Sequence, residues 1–256
     1  MKAFPLYEGS YSVDSSKKFI PFDPAKHDRK DRPASLFIYV QPFLVQTPND
    51  LILLDTGLGF HDEQGRLVVR ENIRKAGFDP DDVSLVLMSH LHFDHAGGMI
   101  DKRDDRVELA FPHAEYVIQR KEWEAAYSQP SKSYKTEIFD ILQRSGSVRF
   151  VEGDGQLNGE VSYQLTGGHS EFHQVFTIAA DGQTFFFGGD VLPEPEQLIR
   201  KFVAKYDFDG REAMRLRSEF GIRAAEENWT CLFYHAKSQA MGRVEYDDSG
   251  FRILPA

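Results

Sequence analysis

The segment Ser89-His90-Leu91-His92-Phe93-Asp94-His95-Ala96-Gly97-Gly98 gathers three imidazoles and one carboxylate within six residues. It follows an apolar run at 83–88, Val-Ser-Leu-Val-Leu-Met, that reads as a buried strand. Packing gives no reason for such a cluster. Four titratable side chains at the end of a core strand must be desolvated or solvated separately, and both are costly without a partner. A divalent metal is the natural partner, because neutral imidazole and carboxylate are its common ligands. His90 and His92 alternate with Leu91, so in extended backbone both face one side. Asp94 and His95 come after a bend and point elsewhere. One segment can therefore serve two metals while completing neither, since a zinc site takes about four ligands.

The missing ligands are expected at other strand ends. Gly167-Gly168-His169 closes an apolar run at 160–166, Gly188-Gly189-Asp190 closes one at 183–187, and His235 closes one at 230–234. Glycines beside two of the three allow close backbone approach.

The elements that must position these residues read as follows. Residues 2–7 and 10–13 flank Glu8-Gly9 as a short hairpin. Residues 15–34 are polar and proline-punctuated, and read as a loop or arm without regular structure, with a lid or dimer contact as its alternative role. Strands are expected at 36–47, with Pro42 marking an edge or bulge, and at 51–54, 83–88 and 111–119. Gly77 stops a helix ending at 73–77. Helices follow at 120–127 and 136–144. Strands then dominate, at 148–151, 160–166, 174–180 and 183–187, the last two joined by Asp181-Gly182, a strong short-hairpin signal. Pro193 and Pro195 break the chain. Ala213, Leu216, Phe220 and Ala224 mark a helix over 211–227, before a strand at 230–234 and a hairpin at 242–254. Two mixed sheets covered by helices satisfy this order.

The chain of 256 residues is long enough for one large core, and 1–256 is taken as one domain. A net charge of -10 and a pI near 5.4 disfavour nucleic acid or an anionic membrane surface as the main partner. A small-molecule substrate is expected instead, with a homodimer left open. A single cysteine, Cys231, read as an inert core thiol, rules out an intramolecular disulfide and fits a reducing compartment. No apolar run approaches membrane-spanning length, and 1–14 lacks a signal-peptide core. The expected setting is the cytoplasm. His27, His61 and His113 have no partner in sequence and read as surface or structural.

These residues carry a family resemblance. His90-Leu91-His92-Phe93-Asp94-His95 resembles the H-x-H-x-D-H signature of the metallo-β-lactamase-fold superfamily, and Asp55-Thr56-Gly57 resembles its D-T-G turn. His169, Asp190 and His235 fall in the family's order. The resemblance implies an α+β fold, an αββα sandwich with the site at one edge of both sheets. It also implies that His90, His92 and His169 hold one metal, that Asp94, His95 and His235 hold a second, and that Asp190 bridges them. The ions expected are two divalent metals, zinc first, with iron, manganese, cobalt and nickel as alternatives. Asp55 is expected to orient a ligand through hydrogen bonds. His173, in Gly168-His169-Ser170-Glu171-Phe172-His173, is divided between supporting a ligand and packing.

Two such ions can lower the pKa of a shared water toward about 7, giving a hydroxide that attacks a lactone or ester carbonyl. Asp94 or Asp190 is placed to move a proton. The loop and the ending Phe233-Tyr234-His235 resemble the branch of quorum-quenching N-acyl homoserine lactonases. That branch carries a tyrosine three residues past the bridging aspartate. Pro193 stands there in this chain, so Tyr127 or Tyr206 is the candidate substitute. The alternatives are a glyoxalase-II-like thioesterase, a phosphotriester hydrolase, and a non-hydrolytic iron redox or metal-binding protein.

Overall fold

A computed structural model of the chain describes residues 1–256 apart from 104, 105 and 130. The chain opens with β1 (Lys2–Pro5), β2 (Gly9–Val13), β3 (Phe19–Pro21), β4 (Leu36–Val40), β5 (Phe43–Gln46) and β6 (Leu51–Leu54). Helix α1 (Val68–Lys75), β7 (Leu85–Leu87) and the one-turn α2 (Phe93–Ala96) follow. Next come β8 (Ile100–Arg103), β9 (Arg106–Leu109), β10 (Glu115–Gln119), α3 (Arg120–Ser128), α4 (Thr136–Ser145) and β11 (Val148–Val151). The second half holds β12 (Gly155–Gln156), β13 (Val161–Leu165), β14 (Gln174–Ala180), β15 (Gln183–Phe187), α5 (Pro195–Ile199), α6 (Gly210–Glu226), β16 (Thr230–Leu232), β17 (Met241–Asp247) and β18 (Gly250–Pro255).

Six strands form one sheet in the order β1-β5-β6-β7-β10-β11, and β12 to β18 form a seven-stranded second sheet. Both are mixed. In the first, β6, β7, β10 and β11 run parallel while β1 and β5 are antiparallel neighbours. In the second, only β15 and β16 are parallel. The αββα sandwich follows from which faces are apolar. Ile52 and Leu54 of β6, with Leu85, Leu87, Phe43 and Val117, pack against Phe176, Ile178, Phe187 and Leu232 of the other sheet. Leu51 and Leu53, on the opposite face of β6, pack instead with Val69 and Ile73 of α1 and Phe139 and Leu142 of α4. Covering both faces explains why β6 is apolar at every position. On the far side, Phe186 and Cys231 meet Leu216, Phe220 and Ala224 of α6. Each such fully buried apolar side chain stabilises by roughly 1.5–3 kcal/mol. Burial also pushes the Cys231 thiol up to about 12, as an inert core thiol requires.

The N-terminal hairpin does not form. β1 pairs with β5, while β2 joins a three-stranded sheet, β3-β2-β4. Leu6 and Glu8 donate backbone N–H groups to Pro42 and Val40, so pairing with the 36–46 segment displaces the local turn. Residues 15–34 are not wholly irregular either, because β3 lies within them as an edge strand on β2, and a 3-10 turn covers Arg29–Asp31. The span 36–47 divides at Pro42 into β4 and β5. Pro195 does not break the chain. It opens α5, where a missing N–H costs nothing. Strands β8 and β9 pair antiparallel, which no local sequence signal announces. Among the described residues no helix is long and apolar enough to cross a membrane.

Candidate metal centre

All seven residues singled out as ligands lie in the segments that follow strands on one edge of the sandwich, Asp94 and His95 within α2, and the fold brings them together. The imidazole rings of His90, His92 and His169 sit 4.5–5.0 Å apart, and their ligand-type nitrogens lie within 4.8 Å of one another. His92 Nδ1 and His169 Nε2 are 3.1 Å apart. Asp94, His95 and His235 form a second group of the same tightness. Asp190 stands between the two. Its Oδ1 lies 3.2 Å from His95 Nε2 and 3.1 Å from His235 Nε2, while its Oδ2 lies 3.2 Å from His169 Nε2.

The electrostatics suit cations. Burial and the neighbouring imidazoles push His90 and His92 well below the usual histidine range, so both present neutral nitrogen lone pairs. Burial also opposes charge on His95 and His235, but the Asp190 and Asp94 carboxylates outweigh it and raise both. Burial would raise Asp190, yet His235, His95 and His169 outweigh it and hold its carboxyl well below the ordinary range. His90 Nε2, His95 Nε2 and Asp190 Oδ1 are buried without a hydrogen-bond partner among the described residues. Three orphaned ligand atoms at one point are costly unless something binds them. The donor set, two three-residue groups sharing one carboxylate, fits two divalent ions.

The supporting residues explain the local fold. Asp55, at φ 55 in the left-handed region, turns the chain after β6 and is fully buried. Its carboxylate accepts from Ser89 N (2.7 Å), Ser89 Oγ (2.6 Å) and His95 Nδ1 (2.7 Å). Burial lifts the Asp55 carboxyl, and these bonds pull against the shift. Asp55 is thus bonded to both Ser89 and His95 of the histidine loop. The turn it begins is locked onto the histidine loop. A Cβ at Gly97 would overlap the Leu58 carbonyl, and one at Gly98 the Thr56 carbonyl. Beneath the turn, Glu8 accepts from Leu58 N at 2.8 Å, and its carboxyl occupies the space a Gly57 side chain would need. His173 accepts from the Asp190 N–H through Nε2 (3.2 Å), so it touches the chain beside that carboxylate. Tyr234 stacks on His95 at 4.1 Å and donates to the Asp94 carbonyl at 2.6 Å.

Several contributors were missed. Glu122 of α3, 1% exposed, accepts from Leu91 N, Ser170 Oγ and Tyr134 Oη, and so ties both histidine loops to one helix. Its signal was a glutamate beside Trp123 on the buried face. Asp207 lies 2.9 Å from His169 Nδ1, in a polar loop that gave no periodic signal. Its partner Arg217 did carry one, since it lies four residues past Ala213 on the apolar face of α6. His61 is not unpartnered but pairs with Asp101 at 2.8 Å.

A cavity of about 570 Å³ opens over the site, lined by Phe19, Leu36, Ile38, Phe93, Phe202 and Phe208 among others, with Asp94, Asp190 and His235 at its floor. Of the two candidate tyrosines, Tyr206 lines it, with its ring 6.0 Å from His169. Tyr127 instead donates to Asp140 on the surface. Tyr134, not considered from the sequence, also lines the cavity.

The chain is similar to proteins already characterised. An N-acyl homoserine lactonase of Bacillus cereus is 28% identical over 159 residues, covering 54% of this chain and 58% of that protein. The N-acyl homoserine lactonase AttM of Agrobacterium fabrum is 28% identical over 153 residues, 57% of this chain and 50% of that one. The chain thus spans about half the length of these relatives. Among solved structures, a probable metal-dependent hydrolase from Staphylococcus aureus superposes with a TM-score of 0.76 at 21% identity, covering 100% of this chain and 96% of that one. The dizinc quorum-quenching lactonase AidC, solved with a product, gives a TM-score of 0.73 at 23% identity over 99% and 94%. The family model for the Metallo-beta-lactamase superfamily matches residues 37–235, from the strand before the first turn to the last candidate ligand. With that span matched and the αββα layers in place, the chain belongs to the metallo-beta-lactamase superfamily.

Proposed function

We propose that the protein is a metal-dependent hydrolase that opens a lactone or ester of a small molecule bearing an apolar chain. The observation that carries this reading is Asp190, whose two oxygens face the two ligand groups separately. His90, His92 and His169 would hold one ion, Asp94, His95 and His235 the other, and Asp190 both. Divalent ions held there supply Lewis acidity and a nucleophile available near neutral pH.

The chain's own residues do the rest. Phe93, Phe202, Phe208 and Leu36 give an apolar chain a wall, from which its binding would displace water. Asp94, which reaches the cavity, would take the proton released by the attacking water and pass it to the departing ring or ester oxygen. Tyr206 and Tyr134 bring phenol rings to the cavity wall, 6.0 Å from His169 and 5.1 Å from His92. The names of the relatives, N-acyl homoserine lactonases, put lactones first among substrates.

The test is to quantify bound metals, then assay one metal-replete sample on lactones, thioesters, aryl esters and phosphotriesters. Lactone or ester turnover that disappears in His92→Ala together with metal supports the reading. Full turnover and full metal in His92→Ala refute it.

A further inference from the structure

Arg217 is the largest of the fully buried side chains, at 1% exposure. It lies on the face of α6 that otherwise buries Ala213, Phe220 and Ala224. A guanidinium in an apolar layer is held there only by bonds that use its donors. Nε donates to the Val191 carbonyl at 2.7 Å, Nη1 to the Phe202 carbonyl at 2.7 Å, and Nη2 to Asp207 Oδ2 at 3.2 Å. The Asp207 side chain is wholly buried, and its other oxygen takes His169 Nδ1 at 2.9 Å. A carboxylate paired with a guanidinium accepts only, so Nδ1 is the His169 nitrogen that donates to it. His169 Nε2 faces His92 and Asp190. The loop around Asp207 is fixed independently. Phe208 and Asp209 donate backbone N–H groups to the carbonyls of His169 and Gly168, and Asp209 caps α6 through Arg211 N and Glu212 N. Gly168, at φ +83, lets the first turn of α6 pass against it, where a Cβ would crowd Ala213.

We infer that Asp207 and Arg217 form a positioning pair that selects the Nδ1–H tautomer of His169 and aims its Nε2 into the site, while the same guanidinium ties down the chain after Asp190 and the cavity wall at Phe202. The inference rests on the proposed metal reading. Carboxylates that hold a metal-binding imidazole typically change metal affinity by about 10–100-fold when lost.

The test uses the full chain, stripped of metal and titrated with cobalt(II), following the visible spectrum of each binding step. Two steps are expected for the wild type. Asp207→Asn should weaken one step by about 10–100-fold and leave the other within about threefold. Arg217→Lys, which keeps the charge but loses the fork, should weaken the same step by a smaller factor and raise KM more than it lowers kcat, because the Phe202 carbonyl loses its donor. If Asp207→Asn fails to fold by circular dichroism, Arg217→Lys decides alone. Both variants binding cobalt as the wild type does overturns the positioning role and leaves the metal reading standing. Equal weakening of both steps also overturns it, because that reports general loosening. A wild type with no cobalt step overturns the metal reading itself.

Discussion

Replacing Glu8 with glutamine should flatten a pH dependence of stability that the wild type carries. Glu8 is half-buried as a residue, yet its Oε1 reaches neither solvent nor a partner. Burial pushes its carboxyl from the ordinary 4.5 up to about 8, with the Leu58 N–H bond opposing. The unfolded chain releases this proton first. Stability is therefore full below the unfolded value and is lost as pH rises toward the folded one. At about 1.36 kcal/mol per pH unit, the loss is about 3 kcal/mol by pH 7 and at most about 5 kcal/mol above pH 9. Glutamine can still accept from Leu58 N but cannot ionise. Urea unfolding of both proteins from pH 5 to 9 reads the effect, since other titrating groups cancel in the difference. The variant should gain on the wild type steadily over that range. A wild-type-minus-variant difference that stays flat from pH 5 to 8 would refute the argument that the turn above Glu8 seals its carboxyl from water.

Two further outcomes follow from the turn and the loop it locks. Gly97→Ala should cut kcat/KM by about 100-fold with a modest change in melting temperature, because a shift of about 1 Å in the loop carrying Asp94 and His95 misplaces reacting groups; wild-type kinetics would show that the loop yields freely. Asp55→Asn removes one of the acceptor sites shared by Ser89 and His95, and should lower metal affinity or activity by about 10–100-fold. Equilibrium dialysis showing unchanged metal content at limiting supply would exclude that role for Asp55.

The sequence was legible where local signals and the fold agree. The strand expected at 174–180 formed over that span, because an apolar run ends at Asp181-Gly182, both in the left-handed region that a tight hairpin needs. Helix α6 was visible in its period. Long-range competition defeated local reading at the N-terminus, where β1 found β5 instead of β2. In the site, the spacing of His90, His92, Asp94 and His95 marked a candidate metal-ligand cluster unaided. His169, Asp190 and His235 were legible only as ligand-type residues ending apolar runs, placed by the family's order. Asp207 was not legible, and Glu122 only as a glutamate on a buried helix face, because their roles depend on which loop a helix packs against. A motif records the atoms that touch the ligand more faithfully than the residues that hold those atoms.

The way Arg217 grips its surroundings bears on how this protein can change. It holds the segments after Asp190 and at Phe202 through main-chain carbonyls, and Phe208 is anchored through its N–H. The side chains of Phe202 and Phe208, which are largely exposed, take no part in those bonds. Substitutions along this stretch can therefore redraw the lining without loosening the frame beneath. The Gly97–Gly98 interlock gives no such latitude. A search for altered substrate range is best aimed at Phe202 and Phe208, where selection can vary chemistry and leave architecture alone.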